Sequence, residues 1–299
     1  AKRPNRAPPP SMSLDPAEPA AAVAATELEL VIDAALAEDI GQGDVTTRAT
    51  IPAGTRLALV MATRQDIVLA GIDVAGAVFR RLAPEVTFAV LVPDGARAPA
   101  GTALARIEGP AQGLLTAERT ALNLVQFMSG IATLTRAYVD RLEGTRARLL
   151  DTRKTTPGLR ALSKYATRMG GATNHRLRLD DGILIKDNHV AVAGSVGEAV
   201  RRARAAATGI KDVRAECDTL DQVKDALAAG ADSLLLDNMT PPQLREAVRI
   251  AAGRVPLEAS GGVTLDTIRA IAETGVDFIS TGRITQAAPA VDIGLDIVD

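Results

Sequence analysis

Beyond about Leu142 the chain alternates short apolar runs with helical segments every twenty to thirty residues or so, a spacing roughly that of parallel strands joined by crossover helices. The predicted strands are Arg148–Thr152, Gly182–Lys186, Val213–Glu216, Ser233–Asp237, Val255–Ser260 and Asp277–Ser280. The intervening helices start at the capping residues Ser195, Thr219, Thr240 and Thr264, with Pro241 at a first helical position, and several end near Gly230, Gly253 and Gly275. Right-handed crossovers of this kind either close a barrel or wind an open sheet. Polar residues end strand after strand instead of gathering at one switch point, which favours a barrel. The stretch is too short for the full eight strands, so the expectation is an incomplete, TIM-like α/β barrel of about six or seven parallel strands.

The preceding part of the chain has a different rhythm. Leu28, Val31, Ile32, Ala35 and Leu36 recur at helical spacing and stop near Gly41-Gln-Gly43. Between Ile51 and Ile107, β-branched runs alternate with Gly and Pro turns around a helical insert near Val74–Leu82, giving an N-terminal α+β sandwich domain over 26–116. A long helix from Leu115 to about Leu142, expected to be interrupted or bent at Ser129-Gly130, leads into a barrel domain over 117–287. The C-terminal stretch 288–299 is expected to pack with the N-terminal domain. Residues 1–25, rich in Pro, Ala and charge without periodicity, are expected to form a disordered tail.

With no Trp, two Tyr and four Phe, the chain lacks the aromatic platforms of single-stranded nucleic-acid binders. One cysteine, Cys217, rules out an intramolecular disulfide framework and fits a reducing cytoplasm. There is no apolar run of membrane-spanning length and no signal-peptide pattern, so neither membrane nor nucleic acid is an expected partner. Yet Arg153, Lys154, His175, Arg176 and Lys186 crowd into one region of a chain of net charge -2. A basic cluster within a mildly acidic protein points to a small polyanion.

Lys186, Glu216, Asp237, Ser260 and Ser280 each end an apolar strand, at the side of a barrel where active sites are built. Ser260 and Ser280 taken singly are equally well read as helix caps; an ionised Lys or Glu in a barrel mouth needs a partner to survive desolvation. The turns Ser260-Gly-Gly-Val263 and Ser280-Thr-Gly-Arg283 follow the last two strands, where barrels hold phosphate on backbone N–H groups. His175 alone reads as structural, but beside Arg176 it makes a carboxylate-binding pair. Asp39, Asp44, Asp180 and Asp181 read as cap and turn residues, and His189 as structural.

These residues, in this order, resemble the quinolinate phosphoribosyltransferase family over about Thr26 to Asp299. The motifs that carry the resemblance are Gly41-Gln-Gly-Asp-Val-Thr-Thr47, Ala117-Glu-Arg-Thr-Ala-Leu-Asn123, Asp151-Thr-Arg-Lys-Thr-Thr-Pro-Gly158, Gly182-Ile-Leu-Ile-Lys-Asp-Asn-His189, Leu236-Asp-Asn-Met239 and Ser260-Gly-Gly-Val263. The resemblance implies that quinolinate and phosphoribosyl pyrophosphate, with Mg2+, give nicotinate mononucleotide, pyrophosphate and carbon dioxide in NAD biosynthesis. It further implies a homodimer with shared active sites, Arg119 being supplied across the interface. Thr152, Arg153, His175 and Arg176 would then bind substrate, and Lys154, Lys186, Glu216 and Asp237 would be catalytic, Glu216 and Asp237 holding a hydrated metal. Ser260, Gly261, Gly262, Thr281, Gly282 and Arg283 would surround the 5′-phosphate.

The chain departs from the family pattern at three places. Gly282-Arg-Ile-Thr-Gln286 stands where Gly-Ala-Leu-Thr-His is usual, so Arg283 replaces a small residue and Gln286 a histidine. Arg214 stands where a second glutamate is common, and alternation places it on the same strand face as Glu216. The competing enzyme reading is a paralogous phosphoribosyltransferase of the kind associated with molybdenum transport, acting on another anionic ring. The competing class is a non-catalytic binding protein on the same fold.

Overall fold

The computed structural model describes residues 24–207, 209 and 212–298; most of the expected N-terminal tail, residues 1–23, lies outside them. In chain order the elements begin with α1 (Ala25–Ile40), α2 (Val45–Thr50), β1 (Arg56–Thr63), β2 (Ile67–Val68), α3 (Ile72–Leu82), β3 (Thr87–Val90), β4 (Arg97–Ala98), β5 (Ala103–Pro110) and α4 (Ala111–Arg141). They continue with β6 (Arg148–Leu150), α5 (Arg160–Met169), β7 (Ile183–Ile185), α6 (Asp187–Ala193), α7 (Val196–Ala206), β8 (Val213–Cys217) and α8 (Leu220–Ala228). Last come β9 (Ser233–Asp237), α9 (Pro241–Ala251), β10 (Leu257–Ser260), α10 (Ile268–Ala272), β11 (Phe278–Ser280), α11 (Arg283–Gln286) and β12 (Ile293–Ile297). Compactness separates two units: 24–137 with 154–172 and 282–298, and 138–153 with 173–281.

In the first unit β12, β1, β5 and β3 form an antiparallel sheet in that order, with β1 paired to the C-terminal β12 through Leu59↔Ile297 to Thr63↔Ile293. Its core gathers Met61, Leu69, Ile72, Phe79, Leu104, Ile107, Leu114, Met128 and Ile131 from sheet and helices, together with Leu162 and Ala166 of α5. The helix α4 runs unbroken through Ser129-Gly130, contrary to the expected interruption. These two residues are there for packing: the Ser129 hydroxyl donates to Ala70 O at 3.1 Å and accepts from Ala70 N–H at 3.0 Å, and a Cβ on Gly130 would overlap the Pro289 carbonyl.

The second unit is the parallel sheet β6-β11-β10-β9-β8-β7 with helices between successive strands. The last strand, β11, returns to the first, β6, through Phe278↔Arg148 to Ser280↔Leu150, which is how a sheet closes on itself. Thr173 adds a seventh, single-residue stave by a parallel bridge to Leu150. Among the described residues no ladder joins that stave to β7, so the barrel is an incomplete one of six strands. Ser233-Leu-Leu-Leu of β9 is buried residue after residue, as a strand covered on both faces requires. Ser195 and Thr219 cap α7 and α8 as their sequence positions predict, accepting from Glu198 N–H at 3.1 Å and Gln222 N–H at 3.2 Å. Thr264 does not cap a helix directly. It closes a turn with Thr267, its N–H donating to the Thr267 hydroxyl at 2.9 Å, and α10 starts one residue beyond that.

Candidate active site

Strand register brings the polar strand ends of the barrel unit together. Parallel pairing sets Asp237 at the end of β9 beside Ser260 at the end of β10, and Glu216 near the end of β8 beside Leu235. Lys186, just past β7, places Nζ 3.4 Å from Glu216 Oε2. Burial pushes the Glu216 carboxyl above its ordinary range, the Asp237 charge adds to that, and Lys186 opposes it. Asp218, which the sequence reading passed over, joins these two: carboxylate oxygens of Glu216, Asp218 and Asp237 lie within 4.8 Å of one another. The signal was available, since Asp218 follows Glu216 by two residues and alternation keeps such residues on one side.

The Ser260-Gly261-Gly262 turn is built against Asn238. Both glycines are left-handed, at φ 87° and 61°, and a Cβ on Gly261 would meet the Asn238 side chain and lie 2.8 Å from its backbone nitrogen. Asn238 is itself left-handed at φ 53°, a conformation Asn tolerates better than most side chains. Its N–H donates to Ser260 O at 2.9 Å and its Nδ2 donates to Asp237 Oδ2 at 2.6 Å. One residue therefore fixes both a carboxylate and a glycine turn. Asn238 lies within the Leu236-Asp-Asn-Met239 motif, but its role depends on a left-handed backbone that the residue name does not show. Thr281, buried behind the turn, directs its hydroxyl at Val263 O, 3.5 Å away.

The cationic side is assembled after β6 and around Thr173. Buried Asp151 accepts from Asn174 Nδ2 at 2.6 Å and from the His175 N–H at 2.8 Å, which fixes the 174–176 backbone. His175 Nδ1 accepts the Arg176 N–H at 2.7 Å, and its Nε2 faces Glu258 Oε2 at 3.4 Å and Arg214 at 2.8 Å. Arg176 donates to Gly182 O at 2.9 Å, and its guanidinium is lowered from its ordinary range first by burial and then by the charges of Arg153 and Arg214. Arg153 keeps a buried Nε–H that makes no hydrogen bond within the protein. Crowded guanidinium groups with a donor to spare have the chemistry to take up an anion.

Arg214 and Glu258 lie deeper. Both are buried, at 3% and 2% exposure, and their side chains form an ion pair. Burial alone would raise the Glu258 carboxyl, but the Arg214 charge and the His175 hydrogen bond outweigh it and hold it down at about 2. Arg214 thus enters the barrel, on the face that strand alternation predicts.

Arg119, Lys154, Gly282, Arg283, Gln286 and Asp44 belong to the first unit, and Thr152 and His189 to the second. Arg119 is exposed on α4 and Lys154 is exposed after β6. The Lys154 carbonyl accepts the Thr285 hydroxyl at 2.7 Å. Gly282 is the N-cap of α11, and Arg283 and Gln286, its first and last residues, are both exposed. Thr152 is half-buried directly after β6. Asp44 is a helix cap, accepting from Thr47 N–H at 2.9 Å, and His189 accepts the Lys186 N–H at 3.0 Å, both structural roles.

Comparison with known proteins places this arrangement. The sequence profile of the quinolinate phosphoribosyl transferase N-terminal domain matches residues 44–129, and that of the C-terminal domain matches 131–296. The chain belongs to the quinolinate phosphoribosyltransferase family. It is 49% identical over 269 residues to the nicotinate-nucleotide pyrophosphorylase (carboxylating) of Mycobacterium leprae, covering 88% of this chain and 94% of that one. A Bacillus subtilis relative described as a probable enzyme of the same name is 40% identical, covering 91% and 93%. Among solved structures, the nicotinate-nucleotide pyrophosphorylase of Francisella tularensis superposes with a TM-score of 0.88 at 39% identity, over 91% of this chain and 96% of that one. As a quinolinate phosphoribosyltransferase family member the chain is a transferase.

Proposed function

We propose that this protein transfers the phosphoribosyl group of phosphoribosyl pyrophosphate to quinolinate with loss of one carboxylate, giving nicotinate mononucleotide, pyrophosphate and carbon dioxide for NAD biosynthesis. The observation that carries the reading is the division of one barrel mouth: crowded guanidinium groups at Arg153 and Arg176, and clustered carboxylates at Glu216, Asp218 and Asp237. A planar dianion suits the first cluster, each charge-assisted hydrogen bond contributing about 1.5–3 kcal/mol.

Glu216 and Asp237 face the position where ribose C1 becomes cationic as pyrophosphate leaves, and they stabilise that charge. The pyridine nitrogen attacks C1 as its bond to pyrophosphate breaks, so no protein nucleophile is needed; the pyridinium stabilises the electron pair left on the ring carbon as carbon dioxide departs, and that carbon then takes a proton from solvent. Arg153, Arg176 and His175 hold the ring, Thr152 helps to line its pocket, and Lys154 and Lys186 neutralise phosphate oxygens. Ser260, Gly261, Gly262, Thr281, Gly282 and Arg283 are assigned to the 5′-phosphate. The carboxylates fit Mg2+, because three hard oxygen donors crowd together and Glu216, raised first by burial, also feels the Asp237 charge, which a cation would offset. Glu216 and Asp237 would hold the hydrated Mg2+, which would supply charge neutralisation for the leaving pyrophosphate.

The working unit is proposed to be a homodimer in which exposed Arg119 of one copy completes the barrel mouth of the other. A soluble cytoplasmic enzyme is the matching localisation; among the described residues no helix is long and apolar enough to cross a membrane. Incubation of the purified protein with quinolinate and phosphoribosyl pyrophosphate, with and without Mg2+, should yield nicotinate mononucleotide only when all three are present. Turnover of a different anionic ring in place of quinolinate would overturn the reading.

A further inference from the structure

We propose that Arg214 is a positioning residue for the quinolinate-binding cations, acting from inside the barrel through Glu258 and His175. The inference rests on the proposed substrate and concerns how its pocket is held. Arg214 sits on β8 two residues before Glu216, which places it about 6–7 Å deeper along the strand than the carboxylate at the mouth. Its fork reaches three residues: Nε donates to Ser233 at the start of β9 at 3.0 Å, one terminal nitrogen pairs with Glu258 on β10, and the other reaches Asp212, just before β8, at 3.1 Å. No ammonium group could make that set of contacts, since only a planar fork presents donors in fixed divergent directions.

The connection to the substrate site is continuous. Glu258 Oε2, held by Arg214, is 3.4 Å from His175 Nε2. His175 Nδ1 accepts the Arg176 N–H at 2.7 Å, and Nε2 stands between Glu258 Oε2 at 3.4 Å and a terminal nitrogen of Arg214 at 2.8 Å. The imidazole is therefore clamped at both nitrogens, and Arg176, which follows it directly, inherits its backbone position. Asp151 fixes the same segment from the other side by accepting the His175 N–H at 2.8 Å. Arg214 also contributes charge: it is one of the groups that lower the Arg176 guanidinium. A third guanidinium below the two ligand-facing ones deepens the positive potential offered to a dianion.

Three variants separate positioning from mere neutralisation of Glu258. Arg214→Lys keeps the charge and loses the fork. Arg214→Gln leaves Glu258 without its partner inside the barrel, and Arg214→Gln/Glu258→Gln removes both charges with near-conserved shape, so it remains folded where the single variant fails. Initial rates with each substrate varied in turn, together with thermal melts, give the comparison. In Arg214→Lys the Michaelis constant for quinolinate should rise about tenfold or more, that for phosphoribosyl pyrophosphate changing by less than about threefold, as expected for lost alignment of charge-assisted hydrogen bonds. The double variant should regain the melting temperature lost by Arg214→Gln while keeping the raised quinolinate constant. A normal quinolinate constant in either Arg214→Lys or the double variant would overturn the proposal, as would an equal rise for both substrates. Absence of nicotinate mononucleotide formation by the unaltered protein would instead defeat the proposed function itself.

Discussion

Glu258 shows how one residue's protonation is tied to the integrity of the site. Its carboxyl is held at about 2 in the folded protein against an ordinary 4.5, so the unfolded chain binds the proton more readily than the folded one. The stabilisation is therefore complete above the unfolded value and is lost as pH falls through the folded one. Glu258→Gln strands the Arg214 charge and should cost about 3–5 kcal/mol at neutral pH. Urea titrations at pH 7 and near pH 3 test the window: the gap between the two proteins should narrow at the lower pH, and a constant gap would show that the carboxylate is not the titrating group. Gly261 is decided by space instead of charge. Its φ of 87° and the closeness of Asn238 leave no room for a methyl group, so Gly261→Ala must displace Asn238 and, with it, the hydrogen bond to Asp237. Binding of phosphoribosyl pyrophosphate, read by calorimetry, should weaken by about 1–3 kcal/mol, while quinolinate binding stays near normal. Equal loss for both ligands would mean that the turn supports the whole mouth.

Elements whose signals are local were legible in the sequence, and those set by long-range packing were not. The six barrel strands could be read because their apolar runs end in polar residues, and α7 and α8 because Ser195 and Thr219 announce their caps. The pairing of β1 with β12 joins residues more than two hundred positions apart, and no local pattern encodes which strands are neighbours. Arg214 was placed on the correct face by alternation, but its partner Glu258, two strands away in the sheet, emerged only from the fold. Asp218 was passed over for the opposite reason, since a carboxylate after a strand also reads as a plain helix-start residue. At Gly130 a glycine in a helical pattern suggests a break or a bend; α4 has no break there, and the glycine serves the close approach of Pro289. That contact makes a prediction against helix propensity. Alanine should favour an isolated helix by about 1 kcal/mol over glycine, but here its Cβ would force the segment leading to β12 away from α4. Gly130→Ala should lower stability by about 1–3 kcal/mol, the usual cost of overpacking, measured by chemical denaturation. A stabilised variant would show that the 289–290 segment yields freely.

At the scale of the whole molecule, opposite requirements meet in a chain of net charge -2: guanidinium groups concentrated at one part of a barrel mouth, carboxylates at another. Arg119 is not part of the barrel unit. It is exposed on α4, within the compact unit that contains the antiparallel sheet, whereas Arg153, Arg176, Glu216 and Asp237 belong to the barrel unit. The proposed homodimer supplies Arg119 from the partner copy, and two-fold symmetry makes the two sites alike. Each site would then draw Lys186 from one chain and Arg119 from the second, and the two defects can be made to fall on one site. Arg119→Ala and Lys186→Ala should each be nearly inactive alone. In a mixed dimer, the barrel of the Arg119→Ala chain keeps its own Lys186 and receives an intact Arg119, while the remaining site carries both defects. Random exchange gives mixed dimers half of the population, so recovery should approach about one quarter of the normal rate. Exchange is verified independently by co-purification of differently tagged chains. With exchange established, rates that stay at the level of the separate variants would place Arg119 in the site of its own chain, and rates near one quarter would fix the dimer as the catalytic unit.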